Sequence, residues 1–446
     1  MGRVDALASQ LARAGVRRGD FVPLVMAGGP ELLVAMLAVL RSAAVFVPLD
    51  EQWPGPRLRA MVDACDPAVV LLSPGAAPGG WTVPALAVDP VSGADPEPAH
   101  ASSARPMPAP PRPDELAYGF YTSGSTGAPK CALNLHSGLA NRLLAMGRRF
   151  GASPRNVVLQ NSRHTFDSSL WQLLWPLTCG SRVVIPRAHD ILDLTATVEV
   201  IERHRVTMTD FVPTILTALV ELLDSRPELV DGLASLRMLL VGGEEIAPES
   251  VRALQRLLPH LRVTNTYGPT EASIGSVFHE VAPQDRAPVP IGRPIDNTWA
   301  IVLDEHGEPA RAGEIGEICI GGACLGTGYL GDPDRTDRVF VGNPFPELPG
   351  KRMYRTGDLG HYGTNGLLYF DGRRDQQVKI GGVRVELTEI EHAIASHPSV
   401  REAKVLVSDH GGGQHLDQEG LQHQRHQQRH QDDQRHLAHQ RTLAPT

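Results

Sequence analysis

Short apolar runs alternate along the chain with stretches in which apolar residues recur every three or four positions. Leu7 and Leu11 stand four apart before Gly15. An apolar run over residues 21–26 then leads, through a Gly-Gly-Pro break, to a helical run over 31–41 and a second strand-like run over 45–49. Alternating short strands and helices specify α/β layering. The same rhythm returns at 156–159, 171–177, 182–185, 195–204, 208–212 and 236–241, which makes a second α/β half. Between the halves, Pro96, Pro98, Pro106, Pro108, Pro110, Pro111 and Pro113 remove amide donors and fix φ, so residues 92–113 read as an extended surface connector.

After about residue 290 the texture changes to short strand runs at 300–303, 314–320 and 367–370 separated by glycine-rich turns, the pattern of a β-rich subdomain reaching residue 374. Strand runs at 378–380 and 383–386 precede a helix expected over 388–395, with Thr388 as N-cap and Glu391 completing a capping box. These open a further small α/β unit over 375–409. From His410 to Thr446 the chain carries seven His, nine Gln, four Arg and four acidic residues, with too few apolar positions to cover a core. Disorder is the expectation for this tail, and its histidines lack the fixed spacing of a metal site.

Composition narrows the function classes. The chain has 446 residues, 42% hydrophobic and 21% charged, as a soluble globular protein does. Its 42 basic and 50 acidic residues give a net charge of −8, so nothing electrostatic calls for a nucleic acid or an anionic membrane as partner. Only Lys130, Lys351, Lys379 and Lys404 are lysines. Cys65, Cys131, Cys179, Cys319 and Cys324 are odd in number and scattered, which fits a reducing cytoplasm better than a disulfide framework or a zinc site. The N-terminus has no signal-peptide core, Ala6 stands where myristoylation wants Ser or Thr, and the longest apolar run, 32–40, is too short to cross a bilayer. A soluble cytoplasmic protein is expected.

The segment YTSGSTGAPK, residues 121–130, places small residues and hydroxyls before a lysine. Such a loop can turn successive backbone amides toward phosphate oxygens while Lys130 supplies a point charge. GxxxxGK[ST] is absent, and by itself the loop also fits an ordinary turn. Six further segments accompany it: LRSAAVFVPLD (40–50), TFDSSLWQ (165–172), NTYGPTEAS (265–273), GEIGEICIGGACLGTGYL (313–330), YRTGDL (354–359) and GRRDQQVKIGGVRVELTEIE (372–391). In this order and over this span the seven segments resemble the adenylate-forming superfamily, which includes nonribosomal peptide synthetase adenylation domains, acyl-CoA synthetases and luciferases. The resemblance is strongest to the amino-acid adenylation domains.

The resemblance implies an α/β adenylate-forming fold: a large N-terminal lobe of two α/β subdomains plus a small β-rich subdomain (1–374), and an incomplete small α+β C-terminal lobe from 375. It also implies attack of an amino-acid carboxylate on the α-phosphate of ATP, giving aminoacyl-AMP and pyrophosphate, then transfer to the phosphopantetheine thiol of a peptidyl carrier protein. Thr122, Ser123, Thr126 and Lys130 would hold the β- and γ-phosphates, Gly124, Ser125 and Gly127 would also bind the nucleotide, and Thr126, Lys130 and Glu271 would be the catalytic set. Within NTYGPTEAS, Asn265 and Gly268 would shape the nucleotide site, Tyr267 would stack on adenine, Thr270 would donate to phosphate, and Glu271 would carry Mg²⁺. Asp358 would accept the ribose hydroxyls with Arg373 beside it. Asp375 matches the hinge about which the small lobe turns between adenylation and thiolation, and 381–383 the loop that enters for the second step.

Asp167 matches the carboxylate that pairs with an α-ammonium, which implies an α-amino acid rather than a fatty or aryl acid. Ser168, Trp171, Asp210, Leu240, Gly242, Thr266, Ile274 and Gly275 would complete the side-chain pocket. Asp210, in the otherwise apolar MTDFVPT, is expected to meet a second cation or a donor, so a basic or strongly polar substrate is anticipated; facing solvent or capping a turn is the alternative for this residue. Several positions depart from the pattern: Ala43 and Glu51 replace the usual Gly and Pro, Cys131 stands where Gly often follows the loop lysine, and Gly381 replaces an Arg. The opening motif and the last two motifs are absent, including the NGK-type loop, and no lysine follows Lys404. A clipped start is expected. A reading-frame change near residue 410 and a small lobe supplied by another chain are both expectations for the end. A catalytically impaired nucleotide-binding fragment and an acyl- or aryl-CoA ligase remain the alternatives to an amino-acid adenylating ligase.

Overall fold

The computed structural model describes residues 2–76, 80–91, 109–124, 129–186, 193–375, 377–380, 383–395, 397, 400, 403–405, 407–410 and 413–416. Contacts divide the chain into two units, one formed by 1–122 with 129–375 and the other by 123–128 with 376–446.

The first unit holds two seven-stranded sheets and a smaller antiparallel one. The first sheet runs Gly328–Tyr329, Lys130–Leu135, Leu116–Thr122, Val45–Asp50, Phe21–Met26, Val70–Leu72 and Ala85–Ala87. Its last five strands are parallel, while Lys130–Leu135 and Gly328–Tyr329 are antiparallel. Parallel strands bury both faces, which is why 21–26 and 45–49 read as continuous apolar runs rather than as alternation. Between them, helix Pro30–Arg41 begins on a proline whose missing N–H costs nothing there, and packs Leu32, Ala35, Met36 and Val39 inward. The helix ends at Ser42, and Ala43 follows with φ +53°. That is the left-handed position where glycine ordinarily terminates a helix, a physical reason for the glycine the resemblance leads one to expect at residue 43.

The second sheet runs Arg293–Pro294, Val277–Glu280, Arg262–Tyr267, Met238–Gly242, Met208–Phe211, Val157–Leu159 and Arg182–Val184, parallel from Arg262–Tyr267 onward. The third sheet contains Thr298–Leu303, Gly316–Gly322, Arg352–Tyr362, Phe340–Gly342 and Leu368–Arg373, all antiparallel. The expected two α/β subdomains and a β-rich third one are therefore present.

The second unit contains the hairpin Gln377–Ile380 with Val383–Glu386, helix Leu387–Ala395, and the hairpin Val407–His410 with Gly413–Leu416. Two expectations change here. The helix starts at Leu387, so Thr388 lies in its first turn rather than at its cap; Glu391 accepts from the Val405 N–H at 3.1 Å and pairs with Lys404 at 2.9 Å. Strand pairing also reaches Leu416, inside the tail expected to be unstructured; backbone ladder bonds across a glycine-rich connection need no apolar side chains. The remainder of that tail, 417–446, lies outside the described residues.

Candidate active site

The site grows from the end of strand Arg262–Tyr267. Gly268 follows it, and a Cβ there would lie 2.5 Å from the Ile274 carbonyl oxygen and 2.6 Å from the Ser276 nitrogen, so only glycine lets the chain fold back this tightly. A 3₁₀ turn over Thr270–Ala272 comes next, then Ser273 and Ile274 at φ +56° and +77°. A β-branched residue in the left-handed region costs on the order of 1–3 kcal/mol and persists only where its surroundings enforce it. Here the Ser276 N–H donates to the Tyr267 carbonyl at 2.8 Å and the Ser273 hydroxyl to the Cys324 carbonyl at 2.7 Å.

This strained turn seats Glu271, which is fully buried. Its Oε1 accepts from the Tyr329 hydroxyl at 2.6 Å and pairs with Lys130 Nζ at 3.1 Å. Lys130 also donates to the Tyr329 oxygen at 3.0 Å and lies 4.6 Å from that ring's centroid. Lys130 reaches this spot because its strand pairs on one side with Thr122 and on the other with the short strand carrying Tyr329. A buried carboxylate needs such partners, since its charge has left water.

A second cluster lies where the third sheet meets Tyr267. The Tyr267 hydroxyl donates to Asp358 Oδ2 at 2.5 Å, and Arg373 Nη1 donates to Asp358 Oδ1. Arg373 also forks onto Asp375, Nε to Oδ1 at 2.7 Å and Nη2 to Oδ2 at 2.8 Å. Burial, then the Asp358 charge, pushes the Tyr267 phenol well above its ordinary pKa. The Tyr267 ring is tilted against Phe370 with centroids 6.3 Å apart. Asn265 donates to the Pro290 carbonyl at 2.9 Å and braces the strand.

The third cluster is built on helices His136–Phe150 and Ser168–Thr178 and on strands Met208–Phe211 and Met238–Gly242. Asp167 precedes the second helix; its Oδ2 is sealed from solvent and has no hydrogen-bond partner. Burial raises its carboxyl to a pKa of about 6, with Glu271 adding to the rise and Thr270, Ser168 and Arg142 opposing it. Asp210 is different. Its carboxylate accepts from Ser162 Oγ at 3.0 Å, from Trp171 Nε1 at 3.1 Å and from Gln172 Nε2, and burial again raises it to about 6. Of the second cation or donor expected at Asp210, donors are present, and they are neutral groups of the protein itself; lying inside strand Met208–Phe211, Asp210 has no turn to cap. Gly242 lies opposite Thr266, and a Cβ on it would sit 2.2 Å from the Thr266 carbonyl oxygen. Leu240 and Ile274 are buried, and Ser168 opens the second helix.

Comparison with known proteins decides the family. The profile of the family described as AMP-binding enzyme matches residues 2–330. The chain belongs to the AMP-binding enzymes. The dimodular nonribosomal peptide synthase of Bacillus subtilis (strain 168) is 35% identical over 420 residues, covering 91% of this chain and 17% of its own length. Holo-PA1221, a nonribosomal peptide synthetase protein containing adenylation and PCP domains and solved with a vinylsulfonamide inhibitor, superposes with a TM-score of 0.80 at 30% identity, covering 93% of this chain and 70% of that one. The synthetase FmoA3 in its AMPPNP-bound form gives a TM-score of 0.73 at 30% identity over 83% of this chain and 39% of its own. The chain therefore spans about a sixth of the length of the first curated relatives it matches.

Within this AMP-binding enzyme the structure brings together Lys130 with Glu271, Tyr267 with Asp358 and Arg373, and Trp171 with Asp210. Thr122 lies beside Lys130, its hydroxyl 3.5 Å from the Lys130 carbonyl oxygen. Ser123 and Gly124 belong to the second unit rather than to the large lobe, and the Gly124 N–H donates to Glu389 Oε2 at 3.3 Å. Ser125, Thr126 and Gly127 lie outside the described residues, as do 381–382 and the proline segment 92–108. Two residues were not singled out by sequence. Tyr329 sits in the GTGYL motif without an assigned role, and Arg142 lies on the buried stripe of its helix with Leu139, Ala145 and Met146.

Proposed function

We propose that this AMP-binding enzyme catalyses ATP-dependent adenylation of an α-amino acid for loading onto a phosphopantetheinyl carrier protein in nonribosomal peptide synthesis. The observation that carries the reading is Asp167: an ionisable oxygen sealed from water without a partner is stabilised by a ligand cation, and an α-ammonium supplies one. A fatty or aryl acid would leave that charge uncompensated.

In the reaction a carboxylate oxygen of the amino acid bonds to the α-phosphorus, and the bond from that phosphorus to the bridging oxygen breaks. The electron pair leaves on pyrophosphate. Asp167 orients the amino acid, Asp358 receives the ribose hydroxyls, Tyr267 backs the adenine, and Lys130 with Thr122, Ser123 and the rest of the 122–127 loop binds the outer phosphates. Glu271 suits Mg²⁺ because that ion takes one or two carboxylates and completes its shell with phosphate and water; when bound it neutralises phosphate charge. Lys130 and Tyr329 hold the Glu271 charge in the free chain. We read Asp375 as the hinge, in keeping with the boundary between the two units at 375/376. Residues 1–374 form the large lobe in this reading, and a cytoplasmic setting agrees with five free cysteines.

Of the two substrate classes the sequence leaves open, the polar one is favoured over the basic one, because three internal donors already occupy Asp210. Amino-acid-dependent exchange of labelled pyrophosphate into ATP tests the proposal: stimulation by a polar α-amino acid supports it, and product formation only with a fatty or aryl acid and coenzyme A overturns it.

A further inference from the structure

Arg142 is 1% exposed, in the middle of helix His136–Phe150. Its guanidinium stacks on Phe278 at 4.6 Å from the ring centroid, yet Nε and Nη1 are sealed from solvent with no hydrogen-bond partner. A buried guanidinium keeps its charge at high cost, and five donors in a rigid fork normally find acceptors. Burial brings its pKa down to about 9, while Asp167 and Asp210 hold it up, so the cation sits within the field of both carboxylates. Neither makes a salt bridge to it among the described residues. The third nitrogen, Nη2, lies 3.6 Å from where a Cβ on Gly275 would be, and Gly275 is one of the positions expected to line the amino-acid pocket.

Asp167 and Arg142, opposite in sign and within each other's field, therefore each carry a sealed polar atom without a hydrogen-bond partner, and Arg142 Nη2 faces Gly275. We infer that Arg142 determines substrate specificity by donating to a hydrogen-bond acceptor at the end of the amino acid's side chain, an inference that rests on the adenylation reading above. Charge decides the class of acceptor. With Glu271 paired to Lys130 and the substrate's α-carboxylate directed at the α-phosphorus of ATP, Asp167 and Asp210 against Arg142 leave one net negative charge, which the α-ammonium cancels. A carboxylate side chain would leave the pocket with an uncompensated negative charge, and an ammonium side chain with a positive one. A neutral acceptor, a carboxamide or a hydroxyl, leaves it balanced.

The test uses near-isosteric pairs that differ in the acceptor: asparagine and leucine, glutamine and methionine, threonine and valine. KM in pyrophosphate exchange and equilibrium binding by calorimetry are measured for the full chain and two variants. One polar member is expected to surpass its apolar isostere by roughly 10- to 100-fold, because the isostere leaves the guanidinium unpaired. Arg142→Met is expected to abolish that ratio while the requirement for an α-ammonium persists. Gly275→Ala keeps the charge but sets a methyl 3.0 Å from Phe278 Cε1, the ring on which Arg142 stacks, and 3.6 Å from Nη2; the displaced guanidinium is expected to reduce the same ratio, which covers the case in which Arg142→Met does not fold. A ratio unchanged in either folded variant, or a wild-type preference for an apolar, acidic or basic side chain, overturns the inference. Binding that keeps the polar preference without any exchange supports Arg142 while refuting adenylation; no binding of any amino acid refutes both.

Discussion

Replacing Asp167 with Asn is expected to raise the stability of the free chain and to abolish productive amino-acid binding. In the folded chain the carboxyl titrates near 6 against an ordinary 3.8, chiefly because burial penalises the charge. At 1.36 kcal/mol per pKa unit that difference corresponds to roughly 3 kcal/mol of lost stability at pH 7. The sign follows from linkage. For an acid whose folded pKa is raised, the folded state binds the proton more tightly, so the penalty is absent below about pH 4, grows between pH 4 and 6, and is constant above. Glu271 adds to the penalty, and Thr270, Ser168 and Arg142 reduce it. Urea titrations at pH 4 and pH 7.5 should therefore show Asp167→Asn more stable than wild type by about 2–3 kcal/mol at pH 7.5 and nearly equal to it at pH 4. The same substitution removes the partner of the α-ammonium, so the KM for the amino acid should rise by roughly 100-fold or more while the KM for ATP stays within about twofold. A variant less stable than wild type at pH 7.5, or one with an unchanged amino-acid KM, refutes the reasoning.

Three further outcomes are expected. Tyr329→Phe deletes the 2.6 Å bond to buried Glu271 and should cost about 1.5–3 kcal/mol of stability in urea titration; an effect below 0.5 kcal/mol would mean that Glu271 is satisfied without it. Asp358→Asn should weaken ATP binding roughly 10- to 100-fold in calorimetry, and an unchanged affinity would remove Asp358 from ribose recognition. Ala43→Gly relieves a left-handed alanine at a helix end and should raise stability by about 0.5–1 kcal/mol; a loss of stability would show that the packing of the buried methyl outweighs the strain.

Much of the architecture is written in local pattern. Runs such as 21–26 and 45–49 are apolar throughout because both faces of a parallel sheet are covered, and the glycine at 268 marks a turn that admits no Cβ. Arg142 was legible in part, since it falls three residues after Leu139 and three before Ala145, on the stripe the helix buries. Its significance was not legible, because that depends on Asp167, Asp210 and Gly275, which lie 25, 68 and 133 residues further along the chain. Asp210 shows the same limit: polarity within an apolar strand pointed to a partner, but Ser162, Trp171 and Gln172 come from a segment some forty residues away. The helix start at Leu387 was missed by one residue: Thr388, expected as the cap, is the helix's second residue.

Pyrophosphate exchange on this chain, with ATP, Mg²⁺ and a panel of α-amino acids, tests the central claim most directly. Amino-acid-dependent exchange, greatest for a neutral polar amino acid and lost in Asp167→Asn, is the predicted result. Exchange that is independent of amino acid, or equal in wild type and Asp167→Asn, would contradict it.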